Sequence, residues 1–435
     1  MGIDRTDDKD DRDGRDADGS GRAAGPKKDS SGGRRGGSDP DDRPVYVIGA
    51  GPAGLSVAAA LRERGVRAVV LEKSGAVGTS WRGHYDRLRL HTTRRMSALP
   101  GLPMPRSFGR WVHRDDVVRY LEKYAEVHEL EVVTGVEVTR VEPAPADARR
   151  PGRPGWLLHA TGGRRLTGRA VVVATGYNHT PRLPDWPGLD TYTGEVVHAS
   201  AYRNPGPYAG KDVLVVGVGN TGAEIAVDLA EGKKPGRGKL GATGDGAAAR
   251  VRIAVRTPPH IMRRSTMGWP AQRSAVLVRR LPVRVVDGLA AALTKVAVPD
   301  LTAHGLPRPR AGLYTRARQG AIPVQDVGFV RAVRRGAVEP VAAVDSFDGD
   351  EVVLADGTRI RPDAVIAATG YARGLDGVLG HLDVLDDRGR PTTRGRRTPP
   401  RAPGLYFTGF TNPISGMLRE MSMDARKIAR ALARA

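Results

Sequence analysis

Three glycines, Gly49, Gly51 and Gly54, stand at the GxGxxG spacing directly behind the β-branched run Val45–Ile48. At that spacing each has a mechanical task. The first allows a tight turn, the second lets backbone approach a pyrophosphate, and the third packs helix on strand. The phosphates then sit at a helix N-terminus, where free N–H groups and the dipole favour anions. Glu72 follows after roughly twenty residues, at a strand end, where a carboxylate accepts from a ribose diol. The pattern recurs at Gly217, Gly219 and Gly222. There the strand end carries Arg256 instead of an acid, a residue able to pair with a 2′-phosphate. The second site is therefore expected to prefer NADPH to NADH, with Arg263 and Arg264 as further cations nearby.

The elements around these residues follow from hydrophobic patterning. PVYVIGAGPAGLSVAAALRERGVRAVVLEK (44–73) reads as strand, turn, helix and strand, the opening of a parallel α/β unit. DVLVVGVGNTGAEIAVDLAEG (212–232) opens a second one. Its next strand, VRIAVRT (251–257), is delayed by a glycine-rich insertion at 233–249, read as a mobile surface loop. Between the units, EVVTGVEVTRVEP, WLLHATGG and RLTGRAVVVATG read as a small antiparallel meander returning to the parallel sheet. Residues 275–300 are apolar with interspersed arginines, and Pro282 divides them into two short helices at most. PGLYFTGF and the stretch from Gly416 onward read as a strand, a loop and an amphipathic helix.

Composition narrows the function classes. Among 435 residues there is no cysteine. That excludes a disulfide framework, a dithiol redox centre, an iron–sulfur cluster and a thiolate zinc site; no metal site is expected. Residues 1–43 hold ten Lys/Arg and twelve Asp/Glu, so they carry a net −2 and the remainder carries about +23, for the formal total of +21. The first 43 residues have almost no apolar side chain and are expected to be disordered. They lack the apolar stretch of a signal peptide. No run approaches the roughly 20 apolar residues that span a bilayer, and a cytoplasmic protein is expected. The basic balance suits phosphate cofactors, and the stretch 276–297 could rest weakly on acidic lipid. Specific nucleic-acid binding is not expected, since no basic patch is interleaved with aromatics.

Two dinucleotide patterns in one chain suggest electron transfer between two cofactors. The chain resembles the class B flavin-dependent monooxygenases, which use FAD and NADPH. YTGEVVHASAY (192–202) resembles that group's fingerprint FxGxxxHxxxY/F, with Tyr192 in place of the initial Phe. The two ATGY sequences, 174–177 and 368–371, resemble the group's chain crossings between domains. YDRLRLHTTRRMSALPGLPMP (85–105) and GLPRPRAGLYTRARQGAIPVQDVG (305–328) are similar to stretches of its YUCCA-type branch and bacterial relatives.

The resemblance implies two Rossmann-like dinucleotide-binding domains with a small meander. FAD would be bound by 44–189 and 322–435, and NADPH by 190–321 with a lid at 270–310. Gly49, Gly51, Gly54, Glu72 and Lys73 would hold the FAD pyrophosphate and ribose. Trp81 would cover the flavin and Val138 would meet the adenine. Thr175, Gly409, Gly416 and Met417 would lie along the FAD path. Gly217, Gly219, Asn220, Thr221, Gly222, Arg256 and Thr257 would bind NADPH. The implied reaction uses NADPH to reduce the flavin, forms a C4a-(hydro)peroxyflavin with O₂, and inserts one oxygen atom into a small organic substrate. Alternatives are an NADPH oxidase or flavin reductase, or a non-enzymatic basic protein on a nucleotide fold. Animal-type members place an Asn near the flavin's reactive face; here that region reads LRLHTTRR, and His91 is either a catalytic contact or a structural residue. His198 is read as a hydrogen-bonding partner of the hinge backbone.

Overall fold

Val45–Ile48 is β-branched or aromatic throughout and fully internal, so it forms a central strand covered on both faces. In the computed structural model it lies in a five-stranded parallel sheet. The order is Leu405–Phe407, Ala170–Val173, Val45–Ile48, Ala68–Glu72, Glu131–Thr134. The structure describes residues 42–145, 155–232, 246–266, 269–270, 286–288, 291, 300–318, 320–413 and 415–434. The expected disordered tail, most of the 233–249 insertion and most of the helices and lid expected within 270–310 lie outside the described residues.

A second five-stranded parallel sheet has the order Glu195–His198, Ala364–Ala367, Asp212–Val216, Arg250–Val255, Glu339–Ala342. The two sheets are laid out alike. In each, the strand leading into the glycine loop is central, and the strand ending in an ATG sequence lies beside it. Strands Glu339–Ala342 and Ala364–Ala367 come from beyond residue 321. The second sheet is therefore completed by strands from beyond residue 321. The reason is that a parallel sheet needs the Ala364–Ala367 strand beside Asp212–Val216, which only non-local pairing can supply.

The meander is narrower than expected. It comprises Val138–Pro143, Trp156–Ala160 and Arg164–Gly168, all antiparallel. Glu131–Thr134 instead joins the parallel sheet. A second meander, Val344–Asp348, Glu351–Leu354 and Arg359–Ile360, holds the corresponding place in the second unit. Its signal was in the sequence: ADGTRIRPDAVIAATG (355–370) runs parallel to TGGRRLTGRAVVVATG (161–176).

Two glycine helices, Pro52–Arg62 and Asn220–Glu231, are buried along most of their length. The first packs against the C-terminal helix Met417–Leu432, whose Ala425, Ile428 and Ala429 join Leu55, Ala58 and Leu61 in one core. Burial of this kind gives about 25 cal/mol per Å² of apolar surface. It fixes the helix N-termini relative to the strands, which is what a phosphate site requires.

Candidate functional site

The two glycine loops have one geometry. Gly49 has φ +107°, and a Cβ there would lie 2.7 Å from the carbonyl oxygen of Ala174. Gly217 has φ +104° and the same relation, 2.8 Å, to the carbonyl oxygen of Ala368. A Cβ on Gly54 or Gly222 would come within 1.9 Å of the carbonyl oxygen of Gly49 or Gly217. These four glycines are demanded by the fold itself. The middle glycines differ: a Cβ on Gly51 or Gly219 would meet nothing within 4 Å. Each caps its helix without a side-chain hydrogen bond. What a side chain there would fill is the space before the free N–H groups of a helix N-terminus, a cradle that fits a pyrophosphate.

Around the first cradle, Glu72 accepts from Ala50 N at 2.8 Å and from Ser74 N at 2.9 Å, one bond to each oxygen. The carboxylate thus stiffens the loop and keeps further acceptor capacity for a diol. Lys73 Nζ lies 3.3 Å from His179 Nε2. Trp81 sits on the short helix Thr79–Arg82, which hangs from the loop through Gly78 N donating to Ala50 O at 3.1 Å. Val138 is buried in one hydrophobic cluster with Ile48, Val69 and Leu71. Thr175 Oγ1 and Thr408 Oγ1 are buried without a hydrogen-bond partner. Both stand just past strand ends beside the loop, so a polar ligand there would relieve their desolvation cost. Thr408 was not found from sequence, because its place depends on the Leu405–Phe407 strand pairing with Ala170–Val173. Gly409 touches the first glycine helix, its Cβ position being 3.1 Å from Ala53 Cβ. Gly416 and Met417 begin the C-terminal helix.

The second cradle corrects two details. Register places Ile48 opposite Leu71 and Val216 opposite Ala254. Val255 therefore occupies the position of Glu72, and Arg256 that of Lys73. The strand end carries no acid, and the arginine stands one step farther out, exposed, followed by exposed Thr257. Asn220 is engaged elsewhere: its Nδ2 donates to Pro323 O at 3.3 Å and its Oδ1 accepts from Gln325 N at 2.7 Å. Its side chain anchors the Val324–Asp326 strand, whereas Thr221 lies half-buried at the helix start.

The stretch 192–202 ties separate parts together. Tyr192 donates to Pro362 O at 2.6 Å. His198 accepts from Ser200 N at Nδ1 (3.1 Å), which leaves Nε2–H to donate to Gly370 O at 3.0 Å. Burial lowers the pKa of this imidazole, and the bond to Gly370 acts in the opposite sense. His198 thereby fastens the start of the second unit to the second ATG crossing. Tyr371–Ala372 beyond that crossing pairs antiparallel with Thr180–Pro181 beyond the first. Arg373 secures the pair, donating to Tyr177 O at 2.6 Å with its guanidinium 3.4 Å from the Tyr177 ring centroid.

A polar seam that the sequence did not disclose joins the second glycine helix to residues 85–91. Glu224, Asp228 and Glu231 share one helix face by spacing. Tyr85 donates to Glu224 at 3.1 Å, and His91 Nε2 lies 2.8 Å from the other Glu224 oxygen. Arg87 reaches Asp228 at 3.4 Å and Glu231 at 3.5 Å, and Tyr202 donates to Asp228 at 2.8 Å. Burial raises the Asp228 pKa to about 6, against the pull of Arg87. Burial, with Arg114 and Arg203, lowers that of His84 to about 4. The available signal was three acids on an otherwise apolar helix, NTGAEIAVDLAE.

Residues 46–235 match the family described as pyridine nucleotide-disulphide oxidoreductase. The indole-3-pyruvate monooxygenase YUCCA1 of Oryza sativa subsp. japonica is 34% identical, over 89% of this chain and 90% of its own. This chain belongs to the class B flavin-dependent monooxygenases. A double mutant of the flavin monooxygenase from Stenotrophomonas maltophilia has a similar structure. Its TM-score is 0.66 at 26% identity, covering 90% of this chain and 98% of that one. The fold is also that of the OTEMO complex with FAD and NADP, with TM-score 0.65 at 18% identity over 90% and 83% of the two chains. The segment 78–91 touches both cradles. Gly78 bonds the first loop, whereas Tyr85 and His91 meet the second helix.

Proposed function

We propose that this monooxygenase uses NADPH and O₂ to place one oxygen atom on a small aromatic 2-oxo acid. The observation that carries the reading is the pair of cradles whose middle glycines alone face open space. FAD, held in the first cradle, supplies oxygen activation that no amino-acid side chain can provide. Gly49, Gly51 and Gly54 give it a backbone bed, Glu72 takes the ribose diol, and Lys73 stands beside it. Thr175 and Thr408 offer unpartnered hydroxyls, Gly409 lets the first glycine helix approach, and Trp81 and Val138 supply apolar cover. Gly416 and Met417 present a helix N-terminus that favours negative charge on whatever lies before it.

NADPH is assigned to Gly217, Gly219, Gly222 and Thr221, with Asn220 fixing the loop. Arg256 and Thr257 stand where a 2′-phosphate would lie, and Val255 in place of an acid removes repulsion. The His198 and Arg373 ties hold the two units together so that water is kept from the reacting centre. The FAD-binding part is residues 44–189 with the C-terminal segment, and the NADPH-binding part runs from 190 to about 370. The substrate class is supported by the name of the rice relative, an indole-3-pyruvate monooxygenase. A cytoplasmic setting accords with the finding that no described helix is long and apolar enough to cross a membrane.

The test is turnover of the FAD-loaded protein with NADPH, isotopically labelled dioxygen and a panel of aromatic 2-oxo acids. One labelled oxygen in the product per NADPH consumed is expected. Hydrogen peroxide accounting for all NADPH, with no oxygenated product from any acid, ketone or sulfide tried, replaces this reading with an NADPH oxidase.

A further inference from the structure

Trp111 gathers cations. The guanidinium of Arg264 lies 4.3 Å from its ring centroid and that of Arg110 lies 5.2 Å away. Arg89 donates to the Trp111 carbonyl at 3.3 Å, and Arg89 bridges antiparallel to His113, so the two short segments are laid side by side. Two guanidiniums thus flank one indole, and a third bonds the backbone of the same residue.

Many arginines of this chain meet carboxylates, as Arg252 meets Asp212 at 2.6 Å and Arg390 meets Asp386 at 2.7 Å, while others, such as Arg373, bond carbonyl oxygens. Among the described residues no carboxylate stands within ion-pair distance of Arg89 or Arg264. The acid that acts on Arg264 is Glu224, and its two oxygens already face Tyr85 and His91. The chain between Thr266 and Asp300 carries a single further acid, Asp287. That carboxylate accepts from the backbone of Tyr314 and from Thr315. Burial lowers the pKa of Arg264, Glu224 opposes the change, and Arg89 and Arg110 add to it. Like charges brought together beside a half-buried guanidinium repel one another, and an anion between them removes the repulsion.

The location is specific too. Arg89 is two residues before His91, on the segment that hangs from the first glycine loop at Gly78 and meets the second glycine helix at Glu224. An anion held here lies beside a segment that touches both glycine-loop units.

We propose that Arg89 and Arg264, with Arg110 adding charge and Trp111 holding them in place, bind the carboxylate of the substrate and set the enzyme's preference for acids. The inference rests on the reading of the substrate as an aromatic 2-oxo acid. Guanidinium groups suit a carboxylate because their planar donors match its two oxygens.

The probes are indole-3-propionate, which has an indole and a carboxylate but no 2-oxo group, and its neutral amide. Each is titrated calorimetrically into the FAD-loaded protein and into the Arg89→Gln and Arg264→Gln variants. Flavin content and melting temperature serve as folding controls. The acid is expected to bind native protein about ten- to a hundredfold more tightly than the amide, and each variant to lose most of that preference. NADPH affinity is expected to stay within about twofold, because Arg264, expected from the sequence as a further cation near the 2′-phosphate, stands instead over Trp111 with Arg89 on the same residue. Equal binding of acid and amide, no binding of either, or a preference that survives in the variants overturns the proposal. So does an equal loss of NADPH affinity, which would assign the arginines to the 2′-phosphate. Should Arg264→Gln not fold, exposed Arg89 and the acid–amide comparison on native protein still decide. Arginine-dependent acid binding without turnover of any 2-oxo acid retires the substrate reading and leaves the site. Turnover that is indifferent to both variants does the reverse.

Discussion

The Tyr202 hydroxyl donates to Asp228 Oδ2 across 2.8 Å, and both side chains are buried. The last residue of the 192–202 stretch is thereby fixed to the helix whose N-terminus forms the second cradle. Tyr202→Phe keeps the ring against Tyr85 and Tyr208 but removes the donor. A hydrogen bond to a charged group contributes about 1.5–3 kcal/mol. Thermal unfolding of the FAD-loaded protein should show a loss of that order. An unchanged melting temperature would mean that Asp228 finds another donor when Tyr202 is gone.

Asp228 also predicts a pH dependence. Its folded pKa is raised to about 6 by burial, above the ordinary value of about 3.9 for an unfolded Asp. The folded state therefore binds the proton more tightly. This contribution to stability is fully present below about pH 4 and is lost as pH rises through about 6. Asp228→Asn removes the titration while retaining an acceptor for Tyr202. The melting temperature of the variant, measured against that of the native protein, should rise steadily from pH 4 to 6 and then level off. A difference that is flat across that window would show that Asp228 does not titrate there.

The glycine loops were legible because their constraints are local: a strand, a turn and a helix, all set within ten residues of Gly49 or Gly217. The second meander was harder to see, since strands as short as Arg359–Ile360 carry no periodic signal. Its kinship with 161–176 appears only when the two ATG sequences are aligned. The polar seam was illegible for a different reason. Tyr85 and Glu224 are 139 residues apart, and each is unremarkable until folding brings them together. The strands from beyond residue 321 that complete the second sheet were hidden likewise: Asp212 N donates to the side chain of Asp363, 151 residues on, which no local pattern foretells. The sequence put Arg256 at a strand end; the strand closes at Val255, and the one-step offset of Arg256 from the Glu72 position became visible only with the sheet register.

The glycine geometry separates two kinds of loss within one loop. Gly54→Ala places a Cβ 1.9 Å from a backbone oxygen that cannot move freely, so the fold itself should suffer. Gly51→Ala meets no protein atom within 4 Å. It should leave the apoprotein's circular dichroism and melting curve intact and yet lose FAD, because the methyl group occupies the approach to the pyrophosphate. Flavin content per chain after purification is the readout. If Gly51→Ala retains stoichiometric FAD, the pyrophosphate lies elsewhere.

Cofactor choice should turn on a single exposed cation. With Val255 in the position of Glu72, nothing at the second strand end repels a 2′-phosphate, and Arg256 projects one residue beyond. A charge-assisted contact to phosphate is worth about 1.5–3 kcal/mol, so Arg256→Ala should weaken NADPH by about ten- to a hundredfold. NADH has no phosphate at that position and should be almost unaffected. Because Arg256 is exposed, the advantage of NADPH in the native protein should shrink as salt is added, the Debye length falling to about 8 Å at physiological ionic strength. A Val255→Asp variant adds the missing repulsion from the other side and should move preference toward NADH without touching the arginine. Rapid-mixing measurements of flavin reduction, with each cofactor titrated at two salt concentrations, give the affinities separately from the rates. If Arg256→Ala weakens NADPH and NADH in equal proportion, the arginine supports the loop and does not recognise the phosphate.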